Sequence, residues 1–311
     1  MKSFCLFLVG PTASGKTALS LELAKWLHAD IISADSRQIF RGMDIGTATP
    51  GDAELSRVKH YFINERDPDM YFSAGEFAVF ARRIIDRKMK NDENIIVCGG
   101  SGLYIQAILG MTADTEKSDT EVREKIRSRA EKEGWDALYR ELQDRDPDYA
   151  RKIDAKNPKR IGRALEILET GGNKPSGQYH EGKRLFPAPL LIIGLRPERG
   201  LLYRRIDRRV LEMIEAGLVD EVKALLVKGY DPGMNAMNTV GYKEITGYIR
   251  GKTDLEHAIR EIQKNTRHFA KRQMTWFRKY APDHWIDIDE KTRFADVVAE
   301  AKSIITAFRG D

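Results

Sequence analysis

Residues 10 to 17 read GPTASGKT and fit the pattern G-x-x-x-x-G-K-[ST]. Every position in that pattern has a task around an anion. Glycines let successive backbone N–H groups turn inward as a nest, Lys16 adds a mobile positive charge, and the Thr17 hydroxyl is suited to hold Mg2+. The helix expected to begin at Lys16 contributes its N-terminal dipole. Gly10, Pro11, Thr12, Ala13, Ser14, Gly15, Lys16 and Thr17 are therefore the candidate phosphate-binding set.

Binding a phosphate is not the same as hydrolysing a triphosphate. Motor and switch NTPases usually carry a metal-orienting Asp at the end of a second apolar strand. The best candidate strand, Ile95–Cys98, runs instead into Gly99-Gly100-Ser101. That favours a transferase, in which the loop grips a phosphate or diphosphate and another substrate supplies the nucleophile. Asp35 closes the apolar stretch ADIISAD, at the carboxyl end of a predicted strand, where α/β proteins bind ligands. A carboxylate there can take a proton from an incoming hydroxyl or amine. The same run, SADSRQ, would also serve as a plain turn or cap. Two classes fit these residues alone: a phosphotransferase acting on a small molecule, and a transferase acting on nucleic acid.

These residues need a scaffold, and the apolar pattern supplies one. Residues 4–9, 30–35, 94–100 and 190–195 read as buried strands. Helical patterns fill 16–28, 74–91 and 201–228, the last with Leu202, Ile206, Val210 and Ile214 on one face and Gly229 as its stop. Alternation of strand and helix predicts an α/β fold with a P-loop NTPase-like parallel sheet flanked by helices. Residues 115–185 differ: they are charged, helical in pattern and poor in strand-like runs, with Ser118 and Glu121 as an N-terminal capping pair and GGNKPSG (171–177) as a loop. The expected organisation is a core of 1–114 and 186–311 interrupted by a helical insertion domain, 115–185.

The composition sets bounds. No apolar run reaches the roughly 18 residues that a membrane helix requires, and a cytoplasmic enzyme is expected. Cys5 and Cys98 fall in predicted strands, and no C-x-x-C or Cys/His cluster points to structural zinc. The net charge of +5 is unevenly spread. Residues 151–184 carry nine Lys/Arg against four Asp/Glu, and residues 264–279 carry six Lys/Arg and no acid. Such segregation suggests a polyanionic partner larger than a single phosphate.

Six segments then agree with one family. GPTASGKT, ISADSRQIFRGMDIGTATP (32–50), GGSGLYIQAILG (99–110), NPKRIGRALEI (157–167), VGYKE (240–244) and TRHFAKRQMTWFRK (266–279) resemble, in order, the bacterial tRNA dimethylallyltransferases, the IPP transferase family. The resemblance implies transfer of a dimethylallyl group from dimethylallyl diphosphate to N6 of the adenosine 3′ of the anticodon, with Mg2+ as cofactor. It implies that the glycine loop holds a departing diphosphate, with Lys16, Thr17 and, more weakly, Arg209 around it. Asp35 matches the family's general base. Ser101 stands where the family commonly has threonine, and Arg123 matches an arginine near the reacting centre.

The target base must be extruded from the anticodon stem-loop to be reached. The resemblance assigns RNA contacts to Asp35, Ser36, Arg37, Gln38, Ser101, Arg123, Lys159, Arg160, Arg163, Gly241, Tyr242, Lys243, Arg267, Lys271, Arg272, Gln273 and Arg278. Among these, the Gln38 amide is suited to an adenine edge. Phe269 and Trp276, interleaved with the basic residues, are candidates for base stacking or for the core. Nothing in the sequence demands more than a monomer.

Overall fold

The computed structural model describes residues 3–111, 120–171, 174–178, 186, 188–279 and 282–310. By its internal contacts the chain divides into two compact units. The first comprises residues 1–71, 83–102 and 187–311, and the second residues 72–82 and 103–186.

Six parallel strands form the sheet of the first unit: β1 (Cys5–Val9), β2 (Asp30–Ser33), β3 (His60–Tyr61), β4 (Ile95–Gly99), β5 (Leu190–Pro197) and β6 (His284–Ile288), in the order β3-β2-β4-β1-β5-β6. β1 lies at its centre, pairing Cys5 with both Ile95 and Leu190. Its sequence, CLFLV, is buried throughout, as suits the central strand of a parallel sheet. In this register Val9 stands opposite Gly99, and Ser33 opposite Cys98, so the loops after β1, β2 and β4 leave the sheet side by side.

Helix α1 (Lys16–Leu27) follows the glycine loop and ends where His28 turns left-handed at φ 51°. It packs Leu19, Leu23, Ala24 and Leu27 onto one side of the sheet with Leu6, Leu8, Ile193 and Ile286. A short turn, α2 (Asp52–Leu55), precedes β3, and α3 (Ala74–Lys90) and α4 (Gly102–Ile108) flank β4 in the chain. The second unit holds α5 (Thr120–Glu133), α6 (Trp135–Arg145), α7 (Pro147–Ala150), α8 (Pro158–Thr170) and α9 (Pro175–Gln178). Ile126, Ala130, Leu138, Leu142, Ile161, Ala164 and Leu165 make its separate core. Their i, i+4 and i, i+3 spacing turns one stripe of each helix inward. After β5 come α10 (Arg199–Glu215), α11 (Leu218–Val227), α12 (Tyr242–Ile249) and α13 (Leu255–Lys279), and α14 (Phe294–Arg309) follows β6.

Several expectations change. The single helix read over 201–228 is two, because Gly217 takes φ 100° and breaks it. The second unit reaches beyond 115–185: within it, Arg82 donates to the carbonyls of Ile108 and Ala107, and Phe77 stacks on Tyr104 at 4.2 Å. Pro175–Gln178 in the expected loop form a short helix. The Ser118 cap lies outside the described residues.

Candidate active site

The loops leaving β1, β2 and β4, together with α10 and α13, enclose one cavity of about 840 Å³. Thr12 to Thr17, Asp35 to Gln38, Ser101, Arg209, Gly241 and Gln273 all line it. The chain thus brings together residues separated by more than two hundred positions.

At its floor the glycine loop runs into α1 through Gly15 at φ 93°. The first amides of a helix have no intrahelical acceptor, so they face the cavity as anion donors. Lys16 Nζ crosses the loop to the Pro11 carbonyl at 2.6 Å and to Ser14 Oγ at 3.4 Å. Burial brings the Lys16 ammonium down to about 8; the Asp35 carboxylate opposes that fall and Arg209 adds to it. Burial also lowers Arg209, again against the pull of Asp35. Two partly desolvated cations therefore share a field with the Asp35 carboxylate, and Glu212 also acts on Arg209; the arrangement favours a multiply charged anion over a neutral ligand.

Asp35 lies two residues beyond β2. Its Oδ1 accepts the Arg37 N–H at 2.9 Å, which fixes the carboxylate by an Asx turn. The neighbouring loops are stitched backbone to backbone: Ala34 N–H donates to Cys98 O at 2.8 Å, and Ser101 N–H donates to Ala34 O at 3.1 Å. Ser101 Oγ accepts from Ser36 N–H at 3.0 Å, which leaves its own O–H to donate.

Several residues assigned to RNA are committed inside the protein. Tyr242 is fully buried and donates its hydroxyl to Glu221 at 2.6 Å, so it is no RNA surface. Gln38 accepts from Ser33 Oγ at 2.8 Å and donates to the carbonyls of Thr47 and Ala48, so its amide braces the loop and is not free for an adenine edge. Gln273 is buried and bonded at both ends of its amide. Arg267 pairs with Asp207, and Arg163 pairs with the buried Glu166 at 2.7 Å. Arg123 stands 3.6 Å from the same Glu166 oxygen. By contrast Lys159, Arg160, Lys243, Lys271, Arg272 and Arg278 are exposed, and Arg272 lies over the half-exposed Phe269 ring at 5.8 Å. Trp276 is half-buried against Phe277.

Glu221 went unnoticed in the sequence. On α11 it accepts the N–H groups of Asp44, Ile45 and Gly46, at 2.9, 2.8 and 3.1 Å, in addition to the Tyr242 hydroxyl. An acid in an amphipathic helix resembles a solvated face, and nothing in GLVDEV signals otherwise.

The model of the IPP transferase family matches residues 38–280. The chain belongs to the IPP transferase family. Curated relatives include the tRNA dimethylallyltransferase of Acetivibrio thermocellus, 41% identical over 309 residues that cover 97% of each chain. That of Alkaliphilus metalliredigens is 42% identical over 306 residues, 98% of each. Among solved structures, the full-length tRNA isopentenylpyrophosphate transferase of Bacillus halodurans superimposes with a TM-score of 0.73 at 36% identity, covering 99% of this chain and 97% of that one. A eukaryotic dimethylallyltransferase acting on tRNA gives 0.85 at 26% identity, covering 98% and 78%. The α/β parallel sheet and its glycine loop thus belong to a transferase family rather than to a hydrolase.

The oxygen character of the cavity bears on Mg2+. The Thr17 hydroxyl is a hard oxygen donor on the cavity wall. A single such donor beside a phosphate loop fits an ion that keeps waters and shares phosphate oxygens.

Proposed function

We propose that this IPP transferase moves a dimethylallyl group from dimethylallyl diphosphate to N6 of the adenosine 3′-adjacent to the tRNA anticodon. The observation that carries the reading is the convergence of Lys16, Arg209 and Asp35 on one cavity. A leaving diphosphate and an amine that must lose a proton need that combination of charges.

The allylic C–O bond breaks and its electron pair departs with the diphosphate. Lys16, Arg209 and the amides at the start of α1 stabilise that charge as it grows. The N6 lone pair forms the new C–N bond, and Asp35 accepts the N6 proton. Ser101, whose Oγ accepts from Ser36 N–H, keeps its own O–H to donate to the acceptor. The Thr17 hydroxyl would hold Mg2+, which would supply further neutralisation of the leaving group. Exposed Lys159 and Arg160, with Lys271, Arg272 and Arg278, give an RNA backbone its counter-charges. Among the described residues no helix is long and apolar enough to cross a membrane, and we propose a monomer acting in the cytoplasm.

The test is incubation with unmodified tRNA, labelled dimethylallyl diphosphate and Mg2+. Label in the RNA, at the adenosine following the anticodon, supports the reading. ATP consumption without it, as by a small-molecule phosphotransferase, overturns the reading, as does RNA binding without turnover.

A further inference from the structure

Helix α13 lines the cavity with Ile262, Thr266, Phe269 and Gln273, and the Gln273 amide is used twice. Gln273, 7% exposed, accepts the Thr12 N–H with Oε1 at 2.9 Å and donates from Nε2 to the Gly100 carbonyl at 3.0 Å. Thr12 belongs to the phosphate loop, and Gly100 immediately precedes Ser101. One amide therefore spans the two loops that face the leaving group and the acceptor.

The surrounding sequence is shaped to admit it. A Cβ at position 100 would lie 2.3 Å from Gln273 Nε2, and one at position 102 would lie 2.5 Å from the Trp276 ring. Glycine on both sides of Ser101 is what allows this face of α13 to seat against the loop. The same helix carries Lys271, Arg272 and Arg278 exposed on other faces.

We propose that Gln273 is a positioning residue: it sets the phosphate loop and the Ser101 loop at a fixed separation, and so couples diphosphate binding to attack by the acceptor. An amide is required because the two bonds need an acceptor and a donor on one planar group. The proposal rests on the transfer reading for its catalytic half, but its anion-binding half stands apart from it.

The test uses the full chain with Gln273→Met, which keeps length and apolar packing but makes neither bond. Turnover with tRNA and dimethylallyl diphosphate should fall about ten- to a hundredfold, the scale of a small misplacement at a reacting centre. Affinity for inorganic diphosphate, measured without RNA, should weaken about three- to tenfold, the scale of one lost hydrogen bond. RNA affinity should stay within about twofold, since neither bond touches an exposed cation. Gly100→Ala, which displaces the amide with Gln273 still present, should give the same split and serves if the first variant fails to fold.

Both variants binding diphosphate and turning over within about twofold of the parent would overturn the proposal. So would a uniform loss in all three measurements that tracks a lowered Tm, the mark of a merely structural contact. If the parent chain binds diphosphate but transfers no label, the function fails, and the diphosphate measurement still decides the brace.

Discussion

Lys16 offers the sharpest test of how this site holds an anion. Burial brings its ammonium down to about 8, against the opposing field of Asp35. At pH 7 about nine-tenths of the side chain is then protonated, and at pH 9 only about one-tenth. A bound diphosphate stabilises the charged form, so the free site must pick up a proton to bind above pH 8. Affinity for inorganic diphosphate should therefore fall roughly tenfold between pH 7 and pH 9 through this group alone. The anion titrates as well, so the measurement is a ratio: isothermal titration of the parent chain against Lys16→Met at each pH. The ratio should be largest near pH 7 and shrink towards unity as pH rises. A ratio unchanged from pH 7 to pH 9 would show that Lys16 either keeps an ordinary ammonium or does not meet the anion. The stability consequence has the opposite sense. Between about 8 and the unfolded lysine value the unfolded chain holds a proton that the folded chain has released, so the penalty of burying Lys16 diminishes as pH rises through that window.

Asp35→Asn should lower turnover by about two orders of magnitude or more while RNA affinity stays near the parent value; equal turnover removes Asp35 as the proton acceptor. Arg209 makes no ion pair among the described residues, so Arg209→Met should raise Tm while weakening diphosphate binding; a lowered Tm would mean the guanidinium stabilises the fold. Glu221→Gln removes the charge behind three backbone bonds and should cost about 2–4 kcal/mol, read as a lower urea midpoint with unchanged slope. Replacing Lys159 and Arg160 with alanine should reduce the salt slope of RNA binding by about 1.4–1.8, and an intact slope would show that neither meets phosphate.

The sheet was legible because its strands are short apolar runs with helices between them, and because the glycine loop marks where β1 ends. The edge strands β3 and β6 do not stand out: β3 is only His60–Tyr61, and HWIDI mixes exposed His284 and Asp287 with its apolar residues. Lys16, Asp35 and Arg209, which the loop pattern, the strand end and the family resemblance single out, do line one cavity. Gln38, Tyr242 and Gln273 were placed in the right neighbourhood with the wrong task. A polar side chain near a phosphate loop serves equally well as a ligand or as a strut, and only its hydrogen-bond partners separate the two. Those partners lie up to 261 positions away, for Gln273 and Thr12, beyond the reach of any local pattern.

That division between struts and acting groups has a physical basis. Ser101 Oγ, Gln38, Glu221 and Gln273 each bind backbone groups of loops that leave the carboxyl ends of the strands, where no sheet ladder continues. Such loops carry unpaired amides and carbonyls that must be satisfied when buried. Side chains from α11 and α13 satisfy them, and the backbone is thereby fixed before any substrate arrives. Lys16 and Arg209 are left as partly buried positive charge without an ion pair among the described residues, opposed by the field of Asp35 and, at Arg209, of Glu212 as well. Preorganised, under-neutralised charge is unfavourable in the free protein and favourable when negative charge develops on a leaving group. The braces hold the backbone still, so the under-neutralised charges of Lys16 and Arg209 keep their place around the cavity, as an anion site requires.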